Sequence, residues 1–266
     1  MTAHDWQSYD TAAGTHDRLA VPSLFTPPAR DLVASLELPA AGAVLDVGAG
    51  SGAAARVAKE SSAERIVVAL DPSVEMLRVA RGYGLGVVAG AVPGLPFRND
   101  IFDGVMANFV LSHTASYQDA LADMARVLRP AGKLGVASWG SLRNEYRERW
   151  QSVADSFADK DALAAAVKQA LPWEKWLEDP AHVRQAFAEA GLRNVTIRHT
   201  RYTARMSIAD FLTIRGNALQ ARCLRQTLSA DRWQEFKRAM SADFYATFQD
   251  PIEHVRDVHI AVWTKG

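Results

Sequence analysis

One stretch of the chain limits its possible folds more than any other. A short apolar run over residues 44–47 breaks into Gly48-Ala49-Gly50-Ser51-Gly52 and resumes at once as a helical pattern over 53–59. A strand that passes into a helix through a glycine-rich turn opens a βαβ unit, because parallel strands can be joined only by a crossover of that kind. The alternation continues, and strands are expected over 66–70, 85–89, 102–110 and 134–139. Val74, Leu77 and Ala80 mark one intervening helix. Another is marked by Ser116 and Asp119, in capping-box spacing, followed by Ala120, Leu121, Met124, Ala125 and Leu128 on one face. Pro130 ends that second helix.

The second half reads differently. Residues 141–180 are helical in composition and carry Trp150, Trp173 and Trp176. Val183, Ala186, Phe187 and Ala190 form a helix that stops at Gly191. A strand is expected over 195–201, two helices over 207–248 and a last strand over 258–263. Before the first strand, Pro27 and Pro28 start a helix carrying Leu32, Val33 and Leu36. The fold class that follows is α/β: a Rossmann-like, doubly wound, mostly parallel seven-stranded sheet with an antiparallel late strand and a helical lid. We expect a single domain over 1–266. Its core is about 40–140, 181–205 and 255–266, and its lid is drawn from 1–39, 141–180 and 206–250.

Composition removes several classes of function. Lys plus Arg and Asp plus Glu are 30 each, so the chain lacks the basic excess of a nucleic-acid binder, and no nucleic-acid partner is expected. Cys223 is the sole cysteine, which rules out an internal disulfide and a cysteine-built zinc site. The seven histidines are scattered without a metal-binding spacing, so no metal is expected. No apolar run is long enough to cross a membrane, and the first 20 residues lack the apolar centre of a secretion signal. The expected location is cytoplasmic, as a monomer or homodimer.

In an open parallel sheet the ligand sits beyond the carboxyl ends of the strands, which is where the glycine turn lies. Gly48, Gly50 and Ala53 satisfy the dinucleotide pattern Gly-x-Gly-x-x-Ala, so an NAD- or FAD-dependent oxidoreductase is one reading. Asp71 stands about 20 residues past the glycines, at the end of the second strand, where an acid can accept hydrogen bonds from ribose hydroxyls. Asp46 sits inside the first strand, where an unpaired buried carboxylate would be costly, so it should have a partner in the loop.

The run from Val44 to Gly52 resembles the first motif of class I S-adenosylmethionine (SAM)-dependent methyltransferases, including the acid two places before the first glycine. Leu70-Asp71-Pro72-Ser73 with Met76 resembles the second motif. Gly90-Ala91-Val92-Pro93-Gly94-Leu95-Pro96-Phe97 resembles the third, with Ala91 in place of the usual Asp. Phe102-Asp103-Gly104-Val105 leading to Asn108, Phe109 and His113 resembles the fourth. Val127 to Lys133 resembles a structural turn of the family, broken once by Ala131. Over about residues 43–140 the likeness is greatest to the ubiquinone/menaquinone-type and natural-product small-molecule enzymes.

The resemblance implies SAM as donor and S-adenosylhomocysteine (SAH) as product. It implies binding through Asp46, Gly48, Ala49, Gly50, Gly52, Asp71, Pro72, Met76, Ala91, Val92, Asn108 and Phe109. Asp103 is expected to be structural. Trp6 or Tyr9 would close over the donor, with its sulfonium favoured by an aromatic face. His113 is the candidate general base if the acceptor is a hydroxyl. The aromatic stripe of Trp233, Phe236, Met240 and Phe244 is either core or pocket wall, and as a wall it would imply an apolar or aromatic acceptor. O-methylation leads, by in-line alignment. A SAM-fold protein with a non-methylating role stays open beside the oxidoreductase.

Overall fold

The computed structural model describes residues 9–266. Seven strands form one sheet: β1 (Ala43–Val47), β2 (Ile66–Asp71), β3 (Gly86–Ala89), β4 (Phe102–Asn108), β5 (Leu128–Trp139), β6 (Thr196–Met206) and β7 (Ile252–Thr264). Their order is β3-β2-β1-β4-β5-β7-β6. The first five are parallel, and β7 runs antiparallel to both β5 and β6. Strand order therefore reverses at β1, flanked by β2 and β4, and opens a crevice at the carboxyl ends of β1 and β4. The mostly parallel seven-stranded sheet with an antiparallel late strand is the architecture the sequence predicts.

Helices cover both faces. After a three-residue helical turn, α1 (Ala13–Thr15), and a π-helix (His16–Phe25), come α2 (Thr26–Ser35), α3 (Ala53–Glu60) and α4 (Val74–Gly82). Leu32, Val33 and Leu36 pack with Val44, Ala54, Ala58 and Met106 on one side of the sheet. On the other side α5 (Tyr117–Val127) and a later helix, Pro180–Glu189, pack Leu121, Met124 and Phe187 against Leu45, Val105 and Leu134. Between β5 and that later helix lie α6 (Glu145–Asp155), α7 (Lys160–Ala170) and α8 (Glu174–Leu177), which makes the later helix α9. Between β6 and β7 lie α10 (Ile208–Gly216), α11 (Leu219–Thr227) and α12 (Ala230–Thr247). Trp233, Phe236, Met240 and Phe244 pack there with Trp150, Phe211 and Leu224 in a third apolar cluster. The aromatic stripe is core.

Several boundaries differ from expectation. Three helices, not two, occupy 207–248, because Ala218 and Leu228 are extended and Ser229 caps α12 through the Arg232 amide. Strands β6 and β7 pair continuously from Met206–Ile252 to Thr196–Val262. Charged residues on this edge hairpin hide its alternation. Strand β5 already starts at Leu128, and Ala131 within it takes φ 63°. A glycine would occupy that left-handed position without strain. Strand β4 stops at Asn108 because Phe109 turns to φ 65°.

Asp103 is structural, as expected. It accepts from the Ala43 amide at 2.8 Å and pairs with Arg129, fixing the start of β1 beside β4. Ser116 caps α5 through the Asp119 amide. No described helix is long and apolar enough to cross a membrane.

Candidate active site

A cavity of about 700 Å³ opens over the carboxyl ends of β1 and β4, within the size range of ligand sites. Gly48, Ala49, Gly50, Asp71, Pro72, Met76, Ala91, Val92, Asn108, Phe109 and His113 line it, together with Asp46 and Tyr9. The structure thus brings together all but one of the described residues predicted from sequence. Gly52 is the exception. It stands at the start of α3 with φ 92°, and a Cβ there would meet Leu85 Cδ1 at 2.7 Å, so it serves the close approach of α3 to the loop before β3. Trp6 lies outside the described residues.

The turn is held from two directions. Gly48 and Gly50 take φ 62° and 55°, which glycine reaches without the penalty of a Cβ. Asp71, buried at the end of β2, accepts from the Gly50 amide and the Ser73 amide, each at 2.8 Å. One carboxylate therefore joins the turn to the start of α4. Each of its oxygens keeps a lone pair for a ligand. Burial raises its pKa, and those two amides act against the rise. Asp46 accepts from the Ala55 amide at 2.8 Å through Oδ2, while its buried Oδ1 has no partner among the described residues. Burial pushes the Asp46 carboxyl up to about 7.

Further unused polar atoms lie nearby. Asn108 Oδ1 and Ser51 Oγ are buried without a partner among the described residues. Buried acceptors in that state are normally satisfied by something, and here a ligand in the cavity lined by Asn108 would do so.

From Tyr9 onward the N-terminal segment borders the cavity and is tied down at several points. Asp10 accepts from Ser73 Oγ at 2.5 Å. Asp17 pairs with Arg56 at 3.3 Å and accepts from Tyr83 Oη at 2.7 Å. The π-helix then brings His16, Ala20, Leu24 and Phe25 to the wall. A π-helix is rare and recurs at functional sites. Pro22 stands inside this one, so its apolar residues do not read as a regular helix, and sequence reasoning missed it.

His113 follows β4 in a single 3-10 turn and meets the edge of the Tyr9 ring at 5.8 Å between centroids. The imidazole is open to the cavity but enclosed by protein, and the lost solvation lowers its pKa. It is neutral near pH 7 and able to accept a proton. The Tyr9 ring carries the Arg222 guanidinium over its face at 4.2 Å.

Phe109 stacks on Trp139 at 3.8 Å between centroids, with the planes 17° apart. Phe25 meets both edge-on. Arg256 lies over the Trp139 ring at 4.1 Å. From there the wall passes to residues that sequence reasoning did not single out for the site: Arg147 from α6, Glu174 from α8, Arg215 from α10, and His254 and Arg256 from β7. The alternation Ile252, His254, Arg256, Val258, Ile260 would have put both on one face of a longer last strand. Among the described residues no group of His, Cys, Asp or Glu is arranged to hold a metal.

Comparison with known proteins agrees with this architecture. The methyltransferase-domain family matches residues 45–136. The chain is 33% identical to the demethylmenaquinone methyltransferase of Renibacterium salmoninarum over 165 residues, covering 59% of this chain and 68% of that one. It is 40% identical to the demethylmenaquinone methyltransferase of Mycobacterium tuberculosis over 101 residues, 38% of this chain and 42% of that one. In fold it is similar to phosphoethanolamine N-methyltransferase 2 of Haemonchus contortus, solved with SAM. The TM-score is 0.57 at 14% identity, over 96% of this chain and 57% of that one. At that identity the likeness concerns the fold alone.

Proposed function

The chain belongs to the class I SAM-dependent methyltransferases, and from that premise we propose that it methylates a hydroxyl of an apolar or aromatic small molecule. Methylation of a small molecule from SAM is its activity; the hydroxyl and the nature of the acceptor are our reading. The observation that carries the reading is the neutral His113 imidazole open to the cavity whose floor is the glycine turn and Asp71.

SAM supplies an electrophilic methyl group on a sulfonium centre with a good leaving group. The residues of this chain fit that donor. Asp71 has lone pairs left for two ribose hydroxyls once Gly50 and Ser73 are served. The absent Cβ atoms at Gly48 and Gly50 let the backbone approach a ligand closely. The backbone of Ala91 and Val92 would take the adenine edge, with Pro72 and Met76 against the adenosine, since Ala91 has no side-chain acceptor. Asn108 Oδ1, without a partner among the described residues, and Phe109 would meet the methionine half.

The helical segments 141–180 and 206–250 and the N-terminal segment would act as the lid, excluding water and aligning the acceptor, which is the main source of rate in such a transfer. Tyr9 would close the donor from above. His113 would hold the acceptor hydroxyl and take its proton. Two relatives are named demethylmenaquinone methyltransferases, and an apolar, ring-bearing acceptor accords with that name.

Parallel calorimetric titration with SAM, SAH and NAD tests the reading. Micromolar binding of the two adenosyl ligands without NAD supports it, and methyl acceptors can then be screened by SAH release. Binding of NAD alone would move the protein to hydride transfer.

A further inference from the structure

Arginine is seldom buried without its fork of donors being met. This chain shows what a satisfied one looks like. Arg65 is 4% exposed, and its guanidinium donates to the carbonyls of Leu38, Pro39 and Ala58 and to Ser61 Oγ.

The arginines at the far end of the cavity are different. Arg256 is only 8% exposed, and its Nε and Nη2 are buried without a partner among the described residues. Arg215 donates to Gln220 Oε1 at 3.0 Å through Nη2, but its buried Nε has none. Arg147 lines the same end. None of the three is in any ion pair among the described residues. One carboxylate, Glu174, lines the wall with them, while Asp257 acts on Arg256 and Glu178 on Arg147 and Arg256 from outside the lining. The loss of solvation, then the charge of Arg147, brings Arg215 and Arg256 each down to about 9. Carboxylates thus stand near the charges, yet the N–H edges of Arg215 and Arg256 remain unmet among the described residues, and buried donors of that kind call for an acceptor.

Two rings hold the forks in place. Arg256 lies over Trp139 at 4.1 Å and Arg215 over Trp150 at 4.7 Å. Stacking fixes the guanidinium plane and leaves its N–H edge free, which suits bidentate recognition of an oxyanion. Beside the arginines the wall is apolar: Leu171, Met206, Phe211 and Ile214.

We propose that Arg215 and Arg256, with Arg147, form an oxyanion subsite, and that the methyl acceptor is an apolar molecule bearing a carboxylate or phosphate group. The assignment rests on the methyl-transfer reading above and deepens it. The apolar wall takes the body of the acceptor, and the arginines fix one end of it. The reacting hydroxyl is thereby positioned from the far side of the cavity.

The test is calorimetric titration of the SAH-loaded protein with 1-hydroxy-2-naphthoic acid, 1-naphthyl phosphate and the neutral 1-hydroxy-2-naphthamide. Either anion should bind at least ~10-fold more tightly than the amide. The preference should collapse in Arg256→Gln and Arg215→Gln and recover in part in Arg256→Lys, which restores charge without the fork. SAH affinity should stay within about twofold in all three, which also reports that they fold. Equal binding of anions and amide by the wild type overturns the proposal, whether or not the variants fold. So does a matching loss of SAH affinity in folded variants, which would give the arginines to the carboxylate of the donor. If the wild type fails to bind SAH at all, it is the methyl-transfer reading that falls, and the anion preference is then read on the protein alone.

Discussion

The Gly50 amide donates to Asp71 Oδ2 over 2.8 Å, so the end of β2 sets the position of the turn after β1. The other oxygen takes the Ser73 amide at the start of α4. Asp71→Ala removes both anchors as well as the proposed ribose contact. SAH affinity should fall at least ~100-fold, since several charge-assisted hydrogen bonds are lost together. Asp71→Asn keeps one oxygen and should lose about tenfold. Calorimetry measures both, and an unchanged Kd for Asp71→Ala would remove Asp71 from the donor site.

A methyl group at Gly48 should be poorly tolerated for two separable reasons. Its φ of 62° is left-handed, and the new Cβ would lie 2.6 Å from Val110 Cγ2. The first costs an alanine about 1–2 kcal/mol and the second roughly 1–3 kcal/mol. Gly48→Ala should therefore lower stability in urea by both amounts. Adding Val110→Ala should restore only the steric part, apart from the cost of the cavity it leaves. Full recovery in the double variant would mean that the backbone conformation carries no cost.

His113 should act as a neutral base. Its pKa is lowered by the loss of solvation inside the cavity, so protonation removes activity only below the ordinary histidine range. The rate should be flat near pH 7 and fall in acid with an apparent pKa under about 6.5. His113→Ala should cost about 100-fold in kcat with little change in SAH affinity. A near wild-type rate for that variant assigns the ring to packing against Tyr9.

Asp46 should give the fold an unusual response to pH. The folded-state carboxyl is raised to about 7 from an ordinary 3.8, so the native state holds that proton more tightly than the unfolded chain. Its contribution is full below about pH 4 and is lost as pH rises through about 7, by on the order of 4 kcal/mol for a shift of this size. Asp46→Asn keeps an oxygen for the Ala55 amide and has no proton to lose. Denaturant curves at pH 5 and pH 8 should differ less for the variant than for the wild type. An identical difference would mean that Asp46 does not titrate in this range.

The core of the fold was legible because the strands from β1 to β4 are short and largely apolar, with the glycine turn after β1 and Pro72 after β2 marking their ends. The floor of the site was legible for a related reason. Gly48, Gly50 and Asp71 are needed for backbone conformation and hydrogen bonding at fixed spacing, and such needs leave motifs. Gly52 shares the motif but serves the contact with Leu85, a difference that exists only once the start of α3 meets the loop before β3. The far wall left no motif, because Arg147, Arg215 and Arg256 come from three segments that meet only in space. The last strand was underread for a local reason: Glu253, Arg256 and Asp257 interrupt its apolar pattern, so it appeared to begin at Val258.

The stack of Phe109 on Trp139, with Arg256 over the same indole, stands where two histories of change would meet. Every residue proposed for the donor falls between Tyr9 and Phe109, whereas the arginines and apolar wall proposed for the acceptor fall between Arg147 and Arg256. Substitutions in the later segments can alter which molecule is accepted while the machinery of methyl donation is inherited intact. Trp139 touches both, and it is the position where a shift in acceptor preference would have to be reconciled with the inherited donor site.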